Sequence, residues 1–589
     1  MKKLWFKIST LALAVLMLCA FAGCFWDNSP ELPKLSTPEV VIGQDGTAVW
    51  SVDENANYYI YVIDGDEEII TVQCSVRLEE NQSIKVKAVS GSEEYADSDF
   101  SEPKTYKKSD GNQTEHTTHS DVNEDGICDV GGESVLAELS FYGVNDLHGK
   151  IIENTTQPGV AAFTTYMKNL YADPAREEIL LSSGDMWQGT VESSSNRGQL
   201  MTEWMNEVGF VSMTLGNHEY DWGADAITAN GKLAKFPFLA INVTYNGKAV
   251  DYCKASAIVE RGGIKIGIIG AIGDCLSSIS GDFTAGLDFA TGDALTSLVE
   301  READRLRSEE GCDFIVYSIH DGGTGFSQTG VNDVTKSDIS HYYDTSLSNG
   351  YVDLVFEGHT HQRYILQDEY GVYHLQGGGE NGYLSCADVS YNTITEKYTV
   401  KPRHISSSVY GSTAISADPV VDEIFNKYFP DSNPYTTVLG TNASRRQSDK
   451  ICEDVAKLYY DKGIEEWGSK YKIVLGGGFL KLRTPYRVDA GDVTYADLFA
   501  VLPFDNDIVL GRISGYYLKS RFLNTTNSDY HNYTTISASE VKDSEYYYIV
   551  IDSYTSTYTY NRITEVARLK GTYARDLLAG YVSAGGWAR

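Results

Sequence analysis

Five times between Leu139 and His361 an apolar run of strand length stops, and residues able to ligate a metal follow at once. The runs end at Asp146 and His148, at Asp185, at Asn217 and His218, at His320, and at His359 and His361. Amphipathic stretches such as 158–171 and 292–310 alternate with them, a pattern that reads as buried strands and packed helices of a layered α/β domain. Loops beyond the carboxyl ends of such strands converge on one crevice, so residues distant in sequence are expected to meet there. Five of the eleven His in the chain stand at these strand ends. Oxygen donors mixed with imidazole, without thiolate, suit manganese, zinc, iron, cobalt or similar divalent ions, and the carboxylates suffice for a bridged pair.

Neither a Gly-x-Ser-x-Gly elbow nor a phosphate-cradling Walker loop competes with this reading. The ordered set Asp-x-His, Gly-Asp, Gly-Asn-His-Glu, a lone His and Gly-His-x-His resembles the calcineurin-like metallophosphoesterases. The extended segment Gly216 to Asp221 is similar to the motif of their 5′-nucleotidase branch. The resemblance covers residues 137–589 and implies a four-layer α/β sandwich followed by an α+β carboxyl-terminal domain. It further implies that Asp146, His148, Asp185 and His361 hold one metal, and that Asp185, Asn217, His320 and His359 hold the other, with Asp185 bridging. His218, oriented by Asp221, is implied as a catalytic residue that touches phosphate and stabilises charge at the leaving oxygen. His341, His374, His404 and His531 are expected to be satisfied structural residues.

The carboxyl-terminal segments Gly476–Gly478 with Arg483, Gly491 to Tyr495, and Leu502 to Asn506 resemble the family's nucleotide-recognition domain. By that resemblance Arg483 helps hold substrate, with Arg487 nearby as an alternative, while Phe504 stacks on the base and Asn506 bonds to it. The family's second aromatic lies in a Gly-Gly loop from which this chain departs. Tyr554 falls closest in register, with Tyr558 the alternate, although a Tyr-rich stretch with alternating Thr also reads as an ordinary strand surface. The resemblance places the substrate in a cleft between two lobes that rotate about a hinge near residues 418–429.

The chain opens with Lys2, Lys3 and Lys7 before an apolar run, 8–21, too short to span a bilayer comfortably. Phe21 to Cys24 resembles a bacterial lipobox, which implies lipid attachment at Cys24 and an extracytoplasmic location on the outer side of a membrane. A plain secretory signal or an uncleaved anchor remain the alternatives. The expected organisation is a signal over 1–24, a fibronectin-III or immunoglobulin-like β-sandwich over 25–107 with Trp50 in its core, and an acidic linker over 108–136. The metallophosphoesterase domain follows over 137–408, then a hinge helix over 409–434 and the recognition domain over 435–589. The β-sandwich reads as a spacer. In the linker, Asp121 to Asp129 spaces oxygen donors as a calcium loop does, but Gly132 stands where a bidentate Glu belongs. At most weak calcium binding is expected there, with His116 and His119 as further candidate ligands.

The formal charge of −34 argues against nucleic-acid polymers as partners, though metal ions would admit a small anion. Cys74, Cys128, Cys253, Cys275, Cys312, Cys386 and Cys452 are scattered and expected to be unpaired. The leading expectation is hydrolysis of nucleoside 5′-monophosphates. Hydrolysis of 2′,3′-cyclic nucleotides, dinucleotides or UDP-sugars on the same site is the alternative, and a surface-binding protein that has lost turnover is the remote one.

Overall fold

Parallel strands with hydrophobic residues on both faces must be covered on both faces, and the segments that end in ligands meet this demand by packing two sheets together. The computed structural model describes residues 32–588 except 43–45, 52, 54, 67, 72–73, 91–94, 108–119, 123–125, 130–133, 153–158, 174–175, 280, 335–350, 381, 412–414, 431–432, 484–485 and 559–561. Its residues fall into two compact units that divide after Lys108.

The first unit contains two antiparallel sheets. One joins Val40–Ile42, Thr47–Trp50 and Ser75–Arg77, and the other joins Ile69–Thr71, Ala56–Ile63, Ser83–Ser90 and Lys104–Thr105. Alternate residues of both sheets share one apolar cluster, in which Trp50 packs edge-on against Tyr59 with centroids 6.2 Å apart.

In the second unit, a six-stranded sheet runs from Phe238–Leu239 through Ser212–Thr214, Glu178–Ser182, Leu136–Val144 and Tyr383–Asn392 to Tyr398–Ser406. A seven-stranded sheet centres on Ile264–Ile272, Phe314–His320 and Leu354–Phe356, which pair in parallel. Leu139 and Phe141 from the first sheet meet Ile266, Ile268, Phe314 and Val316 from the second in one core, where the Phe141 and Phe314 rings stack at 5.5 Å. The other face of the second sheet receives helix Gly292–Ser308 through Leu295, Val299, Ala303 and Leu306. Because Leu136–Val144 pairs in parallel with Glu178–Ser182, the crossover helix Val160–Tyr171 has to lie on the face not occupied by the second sheet. The result is helices, sheet, sheet and helices: the four-layer arrangement expected from the sequence.

Helix Pro419–Tyr428 starts with Pro at its first turn and is capped by Asp418, whose Oδ1 accepts from Val420 N at 3.0 Å. It sits on the four-layer lobe through ion pairs from Lys168 to Asp418 at 2.9 Å and Lys427 to Glu203 at 2.5 Å. Beyond it, a mixed five-stranded sheet orders Tyr530–Thr534, Ile473–Phe479, Tyr546–Asp552, Ile508–Ser514 and Ile563–Leu569. Helices Ser448–Trp467 and Ala574–Ser583 cover one face of it. The strand reading around Tyr554 is corrected here: the strand ends at Asp552, and Ser553–Tyr558 is a helix. Asp552 accepts from Thr555 N at 2.7 Å, so a capping carboxylate starts a helix where Thr alternation suggested a sheet.

Among the described residues no helix is long and apolar enough to cross a membrane. Cys253, Cys275, Cys312, Cys386 and Cys452 are free thiols, and Cys128, Cys275, Cys312, Cys386 and Cys452 are buried. Cys24, His116, His119 and His341 lie outside the described residues.

Candidate active site

Five strands of the two central sheets present candidate ligands at or just past their carboxyl ends, and three of the loops turn by adopting a rare backbone conformation. Asp146, His148, Asp185, His359 and His361 all have φ between 51° and 69°. Side chains with a Cβ rarely occupy this left-handed region, and each such residue costs about 1–3 kcal/mol, which the surrounding structure has to offset. Five strained residues at one place mark a functional centre.

These side chains, with those of His320 and His218, form two clusters that Asp185 links through His148. Asp146, His148 and His361 are gathered in one and Asp185, His320 and His359 in the other, while His148, Asp185 and His218 also converge. His148 Nε2 lies 3.0 Å from His361 Nε2, which in turn lies 3.3 Å from Asp146 Oδ1. His320 Nε2 lies 3.1 Å from Asp185 Oδ2, and His148 Nε2 is 4.0 Å from that same oxygen.

Backbone carbonyls behind the imidazoles select their tautomers. His148 Nδ1 donates to Gln188 O at 2.8 Å and His320 Nδ1 donates to Ser183 O at 2.6 Å, which leaves each Nε2 bare and facing the clusters. Burial and the neighbouring His361 hold His148 well below the usual imidazole range, so its Nε2 keeps a lone pair to offer. At His320 burial pulls the same way, but Asp185 outweighs it and lifts the imidazole to about 10, so its Nε2 stands where a cation, proton or metal ion, is favoured. Asp146 is held down at about 2 against its burial, chiefly by His361.

The donor set fits divalent ions on an observation independent of motif. Asn217 Oδ1 is buried and has no hydrogen-bond partner among the described residues, an arrangement that costs free energy unless a ligand completes it. His320 Nε2 is directed at Asp185, and Asn217 lines the same cleft as that carboxylate, as ligands of a common ion do.

Behind the ligands, Glu219 holds the two loops in register. Its carboxylate accepts from Asp185 N at 2.9 Å, Met186 N at 2.9 Å, Trp187 N at 3.3 Å and Gly216 N at 2.8 Å. Burial and the Asp185 charge push Glu219 up to about 7 against the pull of those backbone donors. Asn145 plays a similar part at Asp146, donating Nδ2 to Oδ2 at 2.6 Å. The sequence reading assigned no role to Glu219 or Asn145, although Glu219 stands inside the Gly-Asn-His-Glu segment.

His218 converges with His148 and Asp185 but has further partners of its own. Its Nδ1 bonds Asp221 Oδ2 at 2.7 Å, its backbone N donates to Asp185 Oδ1 at 2.9 Å, and its ring stacks on Phe504 at 5.8 Å. Arg483, from the carboxyl-terminal lobe, donates Nη2 to His218 Nε2 at 2.6 Å and lies over the Phe504 ring.

One cleft of about 340 Å³ contains Asp185, Asn217, His218, Asp221, His359 and His361 on one wall and Arg483, Phe504, Asn506 and Tyr554 on the other, a size usual for small-molecule sites. Arg487 turns away and pairs with Asp489 at 3.3 Å. The Tyr558 side chain lies outside the described residues. Tyr554 pairs with Phe479, centroids 5.9 Å apart, and Trp222, Phe283 and Tyr486 add aromatic surface that the sequence reading did not single out.

In the linker, Asp121 accepts from Gly126 N at 3.0 Å and Asp129 from Val122 N at 2.6 Å, so both carboxylates serve the loop itself, while residues 123–125 lie outside the described ones. His374 and His404 are satisfied as expected, His374 by Glu357 at 2.9 Å and His404 by Gln376 O at 2.9 Å. Burial, with Arg363 nearby, holds His404 down at about 3.

Residues 139–363 match the family description "Calcineurin-like phosphoesterase", and residues 436–572 match "5′-nucleotidase, C-terminal domain". The two matches cover the two walls of the cleft. The chain belongs to the 5′-nucleotidase family. As a family member it is a hydrolase of phosphate esters that works with divalent metal ions. It is similar to protein UshA of Yersinia enterocolitica, 24% identical over 420 residues that make up 64% of this chain and 74% of that protein. A 5′-nucleotidase of Vibrio cholerae is 23% identical over 410 residues, 63% of this chain and 72% of its own. The crystal structure of a 5′-nucleotidase precursor from Thermus thermophilus shares the fold with a TM-score of 0.57 at 17% identity, covering 76% of this chain and 96% of that one.

Proposed function

We propose that this chain hydrolyses nucleotides, releasing phosphate from nucleoside 5′-monophosphates. The observation that carries the reading is the Arg483–His218 bond, which brings the recognition lobe's cation against the imidazole beside the metal ligands. Asp146, His148, Asp185 and His361 would hold one divalent ion, and Asp185, Asn217, His320 and His359 a second, with Asp185 common to both. When bound, such ions supply Lewis acidity toward phosphoryl oxygens and lower the pKa of water; manganese, zinc and cobalt all suit the donor set.

The chain's own groups supply the rest. Asp221 accepts the Nδ1 proton of His218 and so turns Nε2 toward the cleft. From there His218 reaches a phosphate oxygen and, when protonated, opposes the charge that develops on the leaving oxygen. Arg483 adds a fixed positive charge beside it. Phe504 offers a stacking face, Asn506 a hydrogen-bonding edge, and Tyr554 the facing aromatic wall.

A second reading, hydrolysis of 2′,3′-cyclic nucleotides, dinucleotides or nucleotide-sugars on the same metals, draws on Trp222 and Phe283 in the cleft lining. These rings extend apolar surface beyond what one base needs. A panel of mononucleotides, diesters and UDP-sugars with measured metal content ranks the two readings. In the same assay His218→Ala should keep its metal near the wild-type level while turnover falls about 10²-fold or more. No phosphate release from any nucleotide with manganese, zinc or cobalt supplied would refute the enzyme reading.

The amino-terminal unit is proposed as a fibronectin-III or immunoglobulin-like spacer, supported by its antiparallel sheets around Trp50. The leader supports a lipid at Cys24 and an extracytoplasmic location. Incorporation of labelled fatty acid into the wild type and not into Cys24→Ala is the expected result, and equal labelling of both discards the anchor.

A further inference from the structure

Helix Ala574–Ser583 carries Arg575 as its second residue. A cation there opposes the helix dipole, which favours negative charge at the amino end. Helix stability therefore does not explain the residue, and its contacts do. Arg575 is only 5% exposed and reaches away from its own helix into the Leu502–Asn506 loop. Nη1 donates to Phe504 O at 2.9 Å and more weakly to Leu502 O at 3.4 Å, Nη2 pairs with Asp505 Oδ1, and Nε donates to Tyr495 OH at 3.1 Å. The guanidinium also lies over the rings of Phe499 at 4.4 Å and Tyr573 at 4.6 Å.

The loop it grips has no regular secondary structure between Leu502 and Asp507, so its backbone oxygens need partners from elsewhere. A guanidinium presents several donors in a fixed plane and so fixes both carbonyl direction and carboxylate position at once. The flanking residues of the loop face the cleft: Phe504 stacks on His218, and Asp505 and Asn506 line the wall.

We infer that Arg575 is the positioning residue of the base-recognition loop, setting the plane of Phe504 and the reach of Asn506 without touching substrate itself. This rests on the nucleotide reading for its kinetic consequence, but the structural link between Arg575 and the loop does not. Sequence inspection gave no sign of it, because Arg575 lies some seventy residues beyond the loop and belongs to no recognised motif.

The test compares wild type, Arg575→Ala and Arg575→Lys in the full chain with adenosine 5′-monophosphate and with p-nitrophenyl phosphate, which has no base. In Arg575→Ala the KM for the nucleotide should rise about tenfold, the scale of losing a hydrogen-bonded charged group, while its kcat changes by less than about threefold. The nucleotide's kcat/KM should fall about tenfold further than that of the base-less ester, with Arg575→Lys in between because it keeps charge and loses the fork. Equal losses on the two substrates, or none, overturn the inference. Hydrogen exchange of the backbone over 502–507 tests the link directly: faster exchange in either variant supports it, and unchanged exchange overturns it. Failure of the wild type on nucleotides, with the base-less ester still cleaved, strikes the nucleotide reading alone, and the exchange result then decides the role of Arg575. If Arg575→Ala does not fold, Arg575→Lys carries both measurements.

Discussion

Nη2 of Arg483 lies 2.6 Å from Nε2 of His218, although 265 residues separate them in the chain. Arg483 has only protons to give, so His218 Nε2 has to accept and the imidazole is neutral, with its remaining proton on Nδ1 toward Asp221. A phosphate entering the cleft would be met by both groups together. Arg483→Met should therefore raise KM for a nucleotide by about 10- to 100-fold, corresponding to about 1.5–3 kcal/mol for a hydrogen bond to a charged group. Metal content should stay unchanged. Steady-state kinetics with metal analysis checks this, and loss of metal with KM intact would assign Arg483 to the wrong role.

Glu219 predicts a different failure. Its two oxygens accept from four backbone N–H groups on the Asp185 and Gly216 loops. Glu219→Gln has the same shape but turns an NH₂ toward donors, leaving at least one of them unsatisfied. Stability should fall by about 1–3 kcal/mol. Metal affinity should fall about 10- to 100-fold, as for other groups that orient ligands. Denaturant unfolding and metal titration measure the two effects, and wild-type metal affinity would show that the staple is dispensable.

At Gly216 space, not backbone conformation, is what matters. Its φ of −100° suits any residue, yet a Cβ there would lie 2.7 Å from Asp185 N, 2.8 Å from His320 Cε1 and closer still to Asp185 Oδ1. Gly216→Ala should thus push Asp185 off the point that links the two clusters and lose metal, whereas Gly247→Ala, with open space around a Cβ, should bind metal as the wild type does. Metal stoichiometry after dialysis separates them.

The gathering of the candidate ligands was legible in the sequence because each is a side chain of diagnostic type at the end of an apolar run, and the strand-end rule gathers such residues without knowledge of their contacts. Asp146, His148, Asp185, Asn217, His320, His359 and His361 all follow that logic. What orients them was not legible. The groups that fix His148 and His320 are the carbonyls of Gln188 and Ser183, and backbone atoms leave no mark in a sequence. Arg575 was hidden because its importance arises from a long-range contact. Around Tyr554 the Thr-rich alternation also read as a strand, yet Asp552 three residues before Thr555 was a readable capping signal for the helix that forms.

His374 predicts how stability depends on pH. It is 3% exposed, with Nδ1 2.9 Å from Glu357 and Nε2 3.5 Å from Asp368. Burial alone would depress its pKa, but hydrogen bonds and charge from Asp368 and Glu357 outweigh burial and raise it to about 9 from the ordinary imidazole value of 6.5. Tyr364 also faces this group, donating to Glu357 and accepting from Gln376 at 2.8 Å; Gln376 accepts in turn from Gln362 N at 3.0 Å beside His361. Because the folded pKa exceeds the unfolded one, the contribution is fully present below about pH 6.5 and disappears as pH rises through about 9. Its size is on the order of 3 kcal/mol. Urea unfolding of the wild type should lose that amount between pH 6.5 and 9. His374→Gln should be less stable at about pH 6 and should lose correspondingly less over the same interval. Parallel stability curves for the two proteins would show that the imidazolium does not hold this network together.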